Sequence, residues 1–126
     1  MTFFETHQND TNDEWFQAIK QEGIEDYNDS LYFDLDGQQE QQFKDNIAAL
    51  ESENTLTTAQ LQQWEKQQFI FIGTSSESDY LVCDDNATYV IPYDLHTSDI
   101  ESFPMTIGTF MEQWTTHQLQ SRFLIA

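Results

Sequence analysis

The sequence predicts one α+β domain over residues 1–126, with a mostly antiparallel β-sheet and flanking helices. The length suits a single domain, and apolar residues make up 38% of the chain and aromatic residues 14%, enough for a proper core. Strand-like stretches at 69–72, 80–83 and 88–93 follow one another with only turns between them, and such strands pair antiparallel. Amphipathic helical stretches flank this meander without an internal repeat or a linker, which favours one sheet with packed helices.

Two helices in the first half are predicted from capping boxes. Thr11 is followed three residues later by Glu14, and Thr57 is followed at the same spacing by Gln60. Gly23 is the expected end of the first of these helices. The acidic, turn-rich stretch after it predicts a connector rather than a regular element.

Between the two capped helices, the sequence predicts a strand over 31–35 that ends at a turn made by Asp36 and Gly37. The good helix formers that follow predict another helix. Its expected apolar face contains Phe43, Ile47 and Leu50.

In the second half, a turn is expected at 73–76, and Pro92 is expected to lie at an edge or to mark the end of its strand. Residues 95–102 are predicted to form a loop, and residues 122–126 a final strand or a helix tail. Thr106 begins the last predicted helix, whose apolar residues recur at helical spacing: Ile107, Phe110, Met111 and Trp114.

The charge of the chain limits its partners. Acidic residues outnumber basic ones by 23 to 4, which gives a net charge of -19. Such a surface repels nucleic acid and anionic lipid and attracts basic proteins. No apolar run approaches the roughly 20 residues of a membrane-spanning helix, so neither nucleic acid nor membrane is an expected partner.

The location is predicted to be cytoplasmic. Cys83 is the only cysteine, so no disulfide can form within the chain, and the first residues lack the basic and apolar regions of a secretory signal. The sequence leaves the oligomeric state open.

The search for catalytic chemistry finds one weak candidate. The stretch "LYFDLDG" resembles the start of haloacid dehalogenase-like phosphatases, in which Asp34 would be the nucleophile and Asp36 the acid. Gln38 stands where those enzymes need Thr or Val, and a parallel sheet would be required. The alternative is an ordinary turn with Asp34 as its solvated flank.

Metal ligands are also scattered. His7, His96 and His117 lie far apart in the sequence with no neighbouring cysteine. We therefore expect no metal site, no cofactor and no enzymatic activity.

Residues 64–114 resemble the SUKH superfamily. Its members share a short strand ending in Ile-Gly, a strand beginning with Asp-Tyr, an acidic bend, a tyrosine-rich strand and a helix with an early Phe. The matching stretch here is "FIFIGTSSESDYLVCDDNATYVIPYD", followed by "MTIGTFMEQW". The matching residues are Ile72-Gly73, Asp79-Tyr80, Asp84-Asp85, Tyr89, Tyr93-Asp94 and Phe110.

The resemblance implies an immunity protein that binds and neutralises a cognate basic bacterial toxin, often a nuclease, by occluding its active site. Two acidic stretches with aromatic residues are candidates for the contact. The first comprises Asp79, Tyr80, Asp84, Asp85, Tyr89, Tyr93 and Asp94; the second comprises Glu22, Glu25, Asp26, Tyr27 and Asp29.

Three alternatives stay open at this point. The tyrosines could serve ordinary sheet packing, and each carboxylate could be a solvated surface group. The whole chain could also be a DNA mimic that inhibits a host DNA-binding or restriction protein, because that function needs the same charge.

Overall fold

The computed structural model describes residues 1–126 and confirms the α+β class, with five helices and one six-stranded antiparallel sheet. The helices are α1 Phe3–His7, α2 Asn12–Glu22, α3 Gln38–Leu50, α4 Thr58–Trp64 and α5 Ile107–Thr115. The strands are β1 Asp26–Tyr27, β2 Leu31–Phe33, β3 Ile70–Ser75, β4 Tyr80–Cys83, β5 Thr88–Ile91 and β6 Glu101–Phe103.

The sheet is a meander whose strand order follows chain order from β1 to β6. At its centre, Tyr80 pairs with Ile91 and Cys83 pairs with Thr88. Because neighbouring strands run in opposite directions, the β1–β2 and β3–β4 turns and the residues after β5 lie at one end of the sheet. The β4–β5 bend lies at the other end.

Helices cover both faces of the sheet. The first face packs against α2 and α5, and the second against α3 and α4. All four residues of β4 are buried, because they alternate between the two cores. The largest fully buried side chains include Trp15 and Trp114 on the first face and Phe43 on the second.

Both capping boxes are confirmed. The Thr11 hydroxyl accepts from the Glu14 amide at 3.2 Å, and the Glu14 carboxylate accepts from the Thr11 amide at 2.9 Å. Thr57 and Gln60 form the same reciprocal pair. Gly23 ends α2 in the left-handed conformation (φ 64°), as expected of a helix C-terminal glycine.

The turn expected at 73–76 is wrong, because β3 continues through Gly73 to Ser75. A Cβ atom at Gly73 would lie 2.3 Å from the Tyr32 carbonyl oxygen, so this glycine permits the close approach of β2 rather than a turn. The turn that follows instead includes Ser78, with φ 71°.

Four smaller expectations are also corrected. Leu50 is 49% exposed because it is the last residue of α3, where the chain leaves the helix. The 95–102 stretch contains a 3₁₀ turn and the start of β6. Residues 122–126 form neither strand nor helix, although Leu124 is buried. Strand β2 ends at Phe33 rather than at residue 35, and the bend at Asp36 and Gly37 then leads into α3. In addition to these four points, helix α1 had no counterpart among the predicted elements.

One polar side chain ties distant segments together. The Asn12 amide donates to the Asp84 carbonyl oxygen at 2.9 Å and accepts from the Ile107 amide at 2.9 Å. A Cβ atom at Gly108 would lie 2.7 Å from the His7 carbonyl oxygen, so α1 packs closely on α5. The first helices and the last helix therefore form one continuous layer.

Candidate protein-binding surface

Asp84 is a structural residue of the β4–β5 bend. It is 2% exposed, and four donors surround its carboxylate. One oxygen accepts from the amides of Asn86 (2.8 Å) and Ala87 (2.9 Å), and the other from Trp64 Nε1 (2.8 Å) and the Tyr89 hydroxyl (3.0 Å). These bonds hold the bend and join it to α4. Burial corrects the expectation that Asp84 presents an exposed contact.

Tyr89 belongs to the same network. Its ring packs edge-to-face on Trp64, with 5.0 Å between ring centroids. The pKa of Tyr89 is raised to about 12. Burial is the main cause, and the hydrogen bond to Asp84 and the negative charges of Asp84 and Asp85 add to it. Asp85 itself is exposed and Tyr89 is partly exposed, so this end of the sheet offers less of the predicted contact than expected.

Asp34 is a buried cap for α3. Gly37 at the helix start has no side chain, and the Asp34 carboxylate instead accepts from the amides of Gly37 (3.1 Å), Gln39 (3.1 Å) and Glu40 (3.0 Å). The residue is therefore not a solvated turn flank. The sheet is antiparallel throughout, unlike the parallel sheet that the phosphatase interpretation requires.

Tyr80 is a core residue, as the sheet-packing alternative predicts. It is 4% exposed, its ring centroid lies 4.8 Å from that of Phe43, and its hydroxyl accepts from Asn46 at 2.7 Å. It cannot present a surface contact in this conformation.

Asp79 is also buried (4% exposed), but it has fewer partners than Asp84. One oxygen accepts from the Tyr93 amide at 3.0 Å, and the other accepts from the Ser75 hydroxyl at 3.3 Å. No cation lies within 4.0 Å. Burial raises the pKa of Asp79, although these two hydrogen bonds oppose the shift.

A groove of about 380 Å³ opens beside Asp79 at the turn-bearing end of the sheet. Tyr93, 63% exposed, is its most accessible aromatic side chain. We call this site the Tyr93 groove; its polar and aromatic lining residues are Glu77, Asp79, Tyr93, Asp94, Asp99, Arg122 and Phe123.

The Tyr93 groove is strongly acidic, with four carboxylates and one basic residue, Arg122, among its lining residues. The guanidinium of Arg122 donates to the Asp99 carbonyl oxygen at 3.2 Å, and its Nε lies 3.8 Å from the Glu101 carboxylate. The carboxylates of Glu77, Asp94 and Asp99 have no Lys or Arg partner. The groove therefore has uncompensated negative charge next to an exposed ring.

His96 lies beside this groove. The ligand atoms of Asp94, His96 and Asp99 all lie within 4.8 Å of one another, although sequence spacing gave no sign of a cluster. The Asp94 carboxylate already accepts from the His96 amide at 3.2 Å. Carboxylate and imidazole groups suit a divalent cation, but these three occupy an open surface loop.

The second predicted stretch is divided by the fold. Glu22 and Glu25 are exposed at the end of α2 and just before β1. Asp26 accepts from the Asp29 amide at 2.9 Å within the β1–β2 turn. Tyr27 is partly buried, with its ring centroid 5.4 Å from that of Trp114.

Asp29 lies at the same end of the sheet as the Tyr93 groove. It is exposed in the β1–β2 turn, with φ 56°. The backbone carbonyl oxygen of the neighbouring residue Ser30 accepts from the Ser76 amide at 3.0 Å, and this bond places the β1–β2 turn against the β3–β4 turn. The structure thus places Tyr93, Asp94, buried Asp79 and the Asp29 turn at one end of the sheet, and Asp85 at the other end.

No protein-family model, curated protein or solved structure matches this chain. None of its helices has the length and apolar character needed to cross a membrane.

Glu77, Asp99, Arg122 and Phe123 complete the Tyr93 groove and were not predicted as site residues. They come from three separate segments, and only the fold brings them together. The one signal in the sequence was the adjacency of Tyr93 and Asp94 after a strand.

Proposed function

We propose that this chain binds a basic protein, with the Tyr93 groove at the centre of the contact. The observation that carries the proposal is an aromatic side chain, 63% exposed, beside carboxylates that lack basic partners. Tight interfaces depend on such central aromatic anchors, while surrounding charges set the association rate and partner choice.

The rest of the surface supports this proposal. Lys44 lies 4.0 Å from Glu40 and 3.5 Å from Glu65, and Arg122 lies beside Glu101. These are the chain's Lys and Arg ion pairs, so most of the 23 acidic groups have no basic partner. Exposed ion pairs contribute little to affinity, but a net charge of -19 attracts a basic partner over a long range.

In its specific form, we propose an immunity protein that neutralises a bacterial toxin in the cytoplasm. The resemblance to the SUKH superfamily supports this class, and a nuclease is the favoured toxin because its phosphate-binding cleft must be basic. The immunity protein would block that cleft by occupying it. This function requires no catalytic residues of its own.

The test is a binding experiment with the toxin encoded next to this chain. Raising NaCl from about 50 mM to about 1 M should lower the association rate at least tenfold, because salt screens the attraction. Tyr93→Ala should weaken the complex, whereas Tyr32→Ala, a matched exposed tyrosine on β2, should not. An association rate that stays the same at both NaCl concentrations would contradict the proposal.

Competition with duplex DNA examines the DNA-mimic alternative. A toxin-specific inhibitor should bind one toxin and leave unrelated DNA-binding proteins alone. Displacement of duplex DNA from many such proteins would support a mimic instead.

A further inference from the structure

We infer that the Tyr93 groove accepts an arginine side chain of the partner protein, with the guanidinium against the Tyr93 ring and the carboxylates of Glu77, Asp79 and Asp94. This inference rests on the proposed function and specifies the group that the groove recognises.

The first argument is the incomplete set of partners around Asp79. The three buried carboxylates of the chain differ in this respect. Asp84 accepts from four donors and Asp34 from three backbone amides. Asp79 accepts from one amide and from one hydroxyl at 3.3 Å, and no cation compensates its charge. Although Asp79 is only 4% exposed, it lines the groove, and a carboxylate has about four acceptor positions, so positions remain for donors that enter the groove.

The second argument is the distribution of negative charge around the opening of the Tyr93 groove. Glu77 approaches from the β3–β4 turn, and Asp94 and Asp99 approach from the segment after β5. A guanidinium has five donors in one plane and can bond to several carboxylates at once, whereas an ammonium is a compact point charge. The exposed Tyr93 ring adds a flat surface on which a guanidinium stacks well.

The third argument is the chain's own Arg122. Its guanidinium carbon lies 5.1 Å from the centroid of the Phe123 ring, which also lines the groove, and the guanidinium donates to the Asp99 carbonyl oxygen. The groove therefore already holds one guanidinium over an aromatic ring with an oxygen acceptor. Tyr93, with Glu77 and Asp94, offers the groove a second such combination, in which the carboxylates have no Lys or Arg partner.

The experiment compares hexa-arginine with hexa-lysine by calorimetry and by NMR. EDTA is present throughout, because the Asp94, His96 and Asp99 cluster could otherwise take up trace divalent metal. Hexa-arginine should bind several times more tightly than hexa-lysine. Its addition should shift the Asp79 carboxyl and Tyr93 ring signals.

Matched variants assign the effect to the groove. Tyr93→Ala should weaken hexa-arginine binding about two- to fivefold, the contribution of an exposed cation–π contact, and should remove the preference for arginine. Asp79→Asn should weaken it as well. Tyr32→Ala and Glu53→Gln remove an exposed ring and an exposed charge elsewhere and should leave the preference intact. Spectra of each variant show whether it is folded.

Two failures have different meanings. If hexa-arginine and hexa-lysine bind equally and Tyr93→Ala behaves like Tyr32→Ala, the groove inference is overturned, although the basic-partner proposal survives. If neither peptide and no basic protein binds at about 50 mM salt, the proposed function itself fails.

Discussion

Asp84→Asn should destabilise the protein, although it changes only one atom and removes one charge from a very acidic chain. The amide oxygen can still accept from Asn86 and Ala87, but the NH₂ group then faces Trp64 Nε1 and the Tyr89 hydroxyl. The hydroxyl can rotate and accept, whereas the indole N–H can only donate. One hydrogen bond to a charged group is lost, so the free energy of unfolding should fall by about 2–3 kcal/mol.

Urea unfolding followed by circular dichroism measures this loss. Asp85→Asn is the control, because it removes the same charge from an exposed neighbour and should change stability by less than about 0.5 kcal/mol. In a double-mutant cycle, Trp64→Phe should remove about 1 kcal/mol or more of the Asp84→Asn penalty. The pKa of Tyr89 should also fall from about 12 toward its ordinary value in Asp84→Asn. Additive effects in the cycle, or an equal loss in Asp85→Asn, would refute the reasoning.

Asp79→Asn should destabilise the protein less than Asp84→Asn does, because its amide oxygen keeps the bond from the Tyr93 amide and a buried charge is removed. Only the 3.3 Å bond with Ser75 is lost, since the Ser75 hydroxyl already accepts from the amides of Glu77 and Asp79. Burial raises the pKa of Asp79 above its unfolded value near 3.8, so the folded state holds the proton to higher pH. The free energy of unfolding therefore falls as the pH rises above about 3.8. Urea titrations at several pH values should show a smaller fall in Asp79→Asn than in the unmodified protein. The same pH slope in both proteins would contradict this. Gly73→Ala should cost about 1–3 kcal/mol in the same assay, because its Cβ would collide with the Tyr32 carbonyl oxygen, and wild-type stability would argue against that close approach. The Cys83 thiol is buried and its pKa is raised by burial, so a thiol reagent should label it only as the protein unfolds; rapid labelling of the native protein would contradict the described core.

Elements fixed by neighbouring residues were predictable from the sequence. A capping box needs only four residues, so the starts of α2 and α4 at Thr11 and Thr57 were found directly. The apolar stripe after Thr106 likewise identified α5. The short edge strands β1 and β6 lacked such a signal, because pairing with a neighbouring strand defines them.

Features that depend on distant contacts were not predictable. Gly73 resembles a turn residue in the sequence, and the reason for it is the Tyr32 carbonyl, 41 positions away in the chain. Burial of the strand-flanking acids was missed for a similar reason. Asp79 and Asp84 lie where polar residues are usually solvated, but each instead satisfies amides or hydroxyls of a turn.

The alternation of side chains along the strands also failed to distinguish exposed from buried tyrosines. Helices cover both faces of the sheet, so Tyr80 has no solvent side to face, whereas Tyr93 is exposed because it lies beyond the end of β5. A site formed where strands end therefore requires the fold before its members can be chosen.

The bridge made by Asn12 has a consequence for synthesis on the ribosome. The meander can pair strand by strand as the chain emerges. The hydrogen bond between the Asn12 side chain and the Ile107 amide, by contrast, cannot form until residue 107 has been synthesised, 95 residues later. Until α5 arrives, Trp15 and the rest of the first-face core remain open to chaperones and to other nascent chains. A message truncated before codon 107 would thus yield an aggregation-prone polypeptide rather than a smaller working protein.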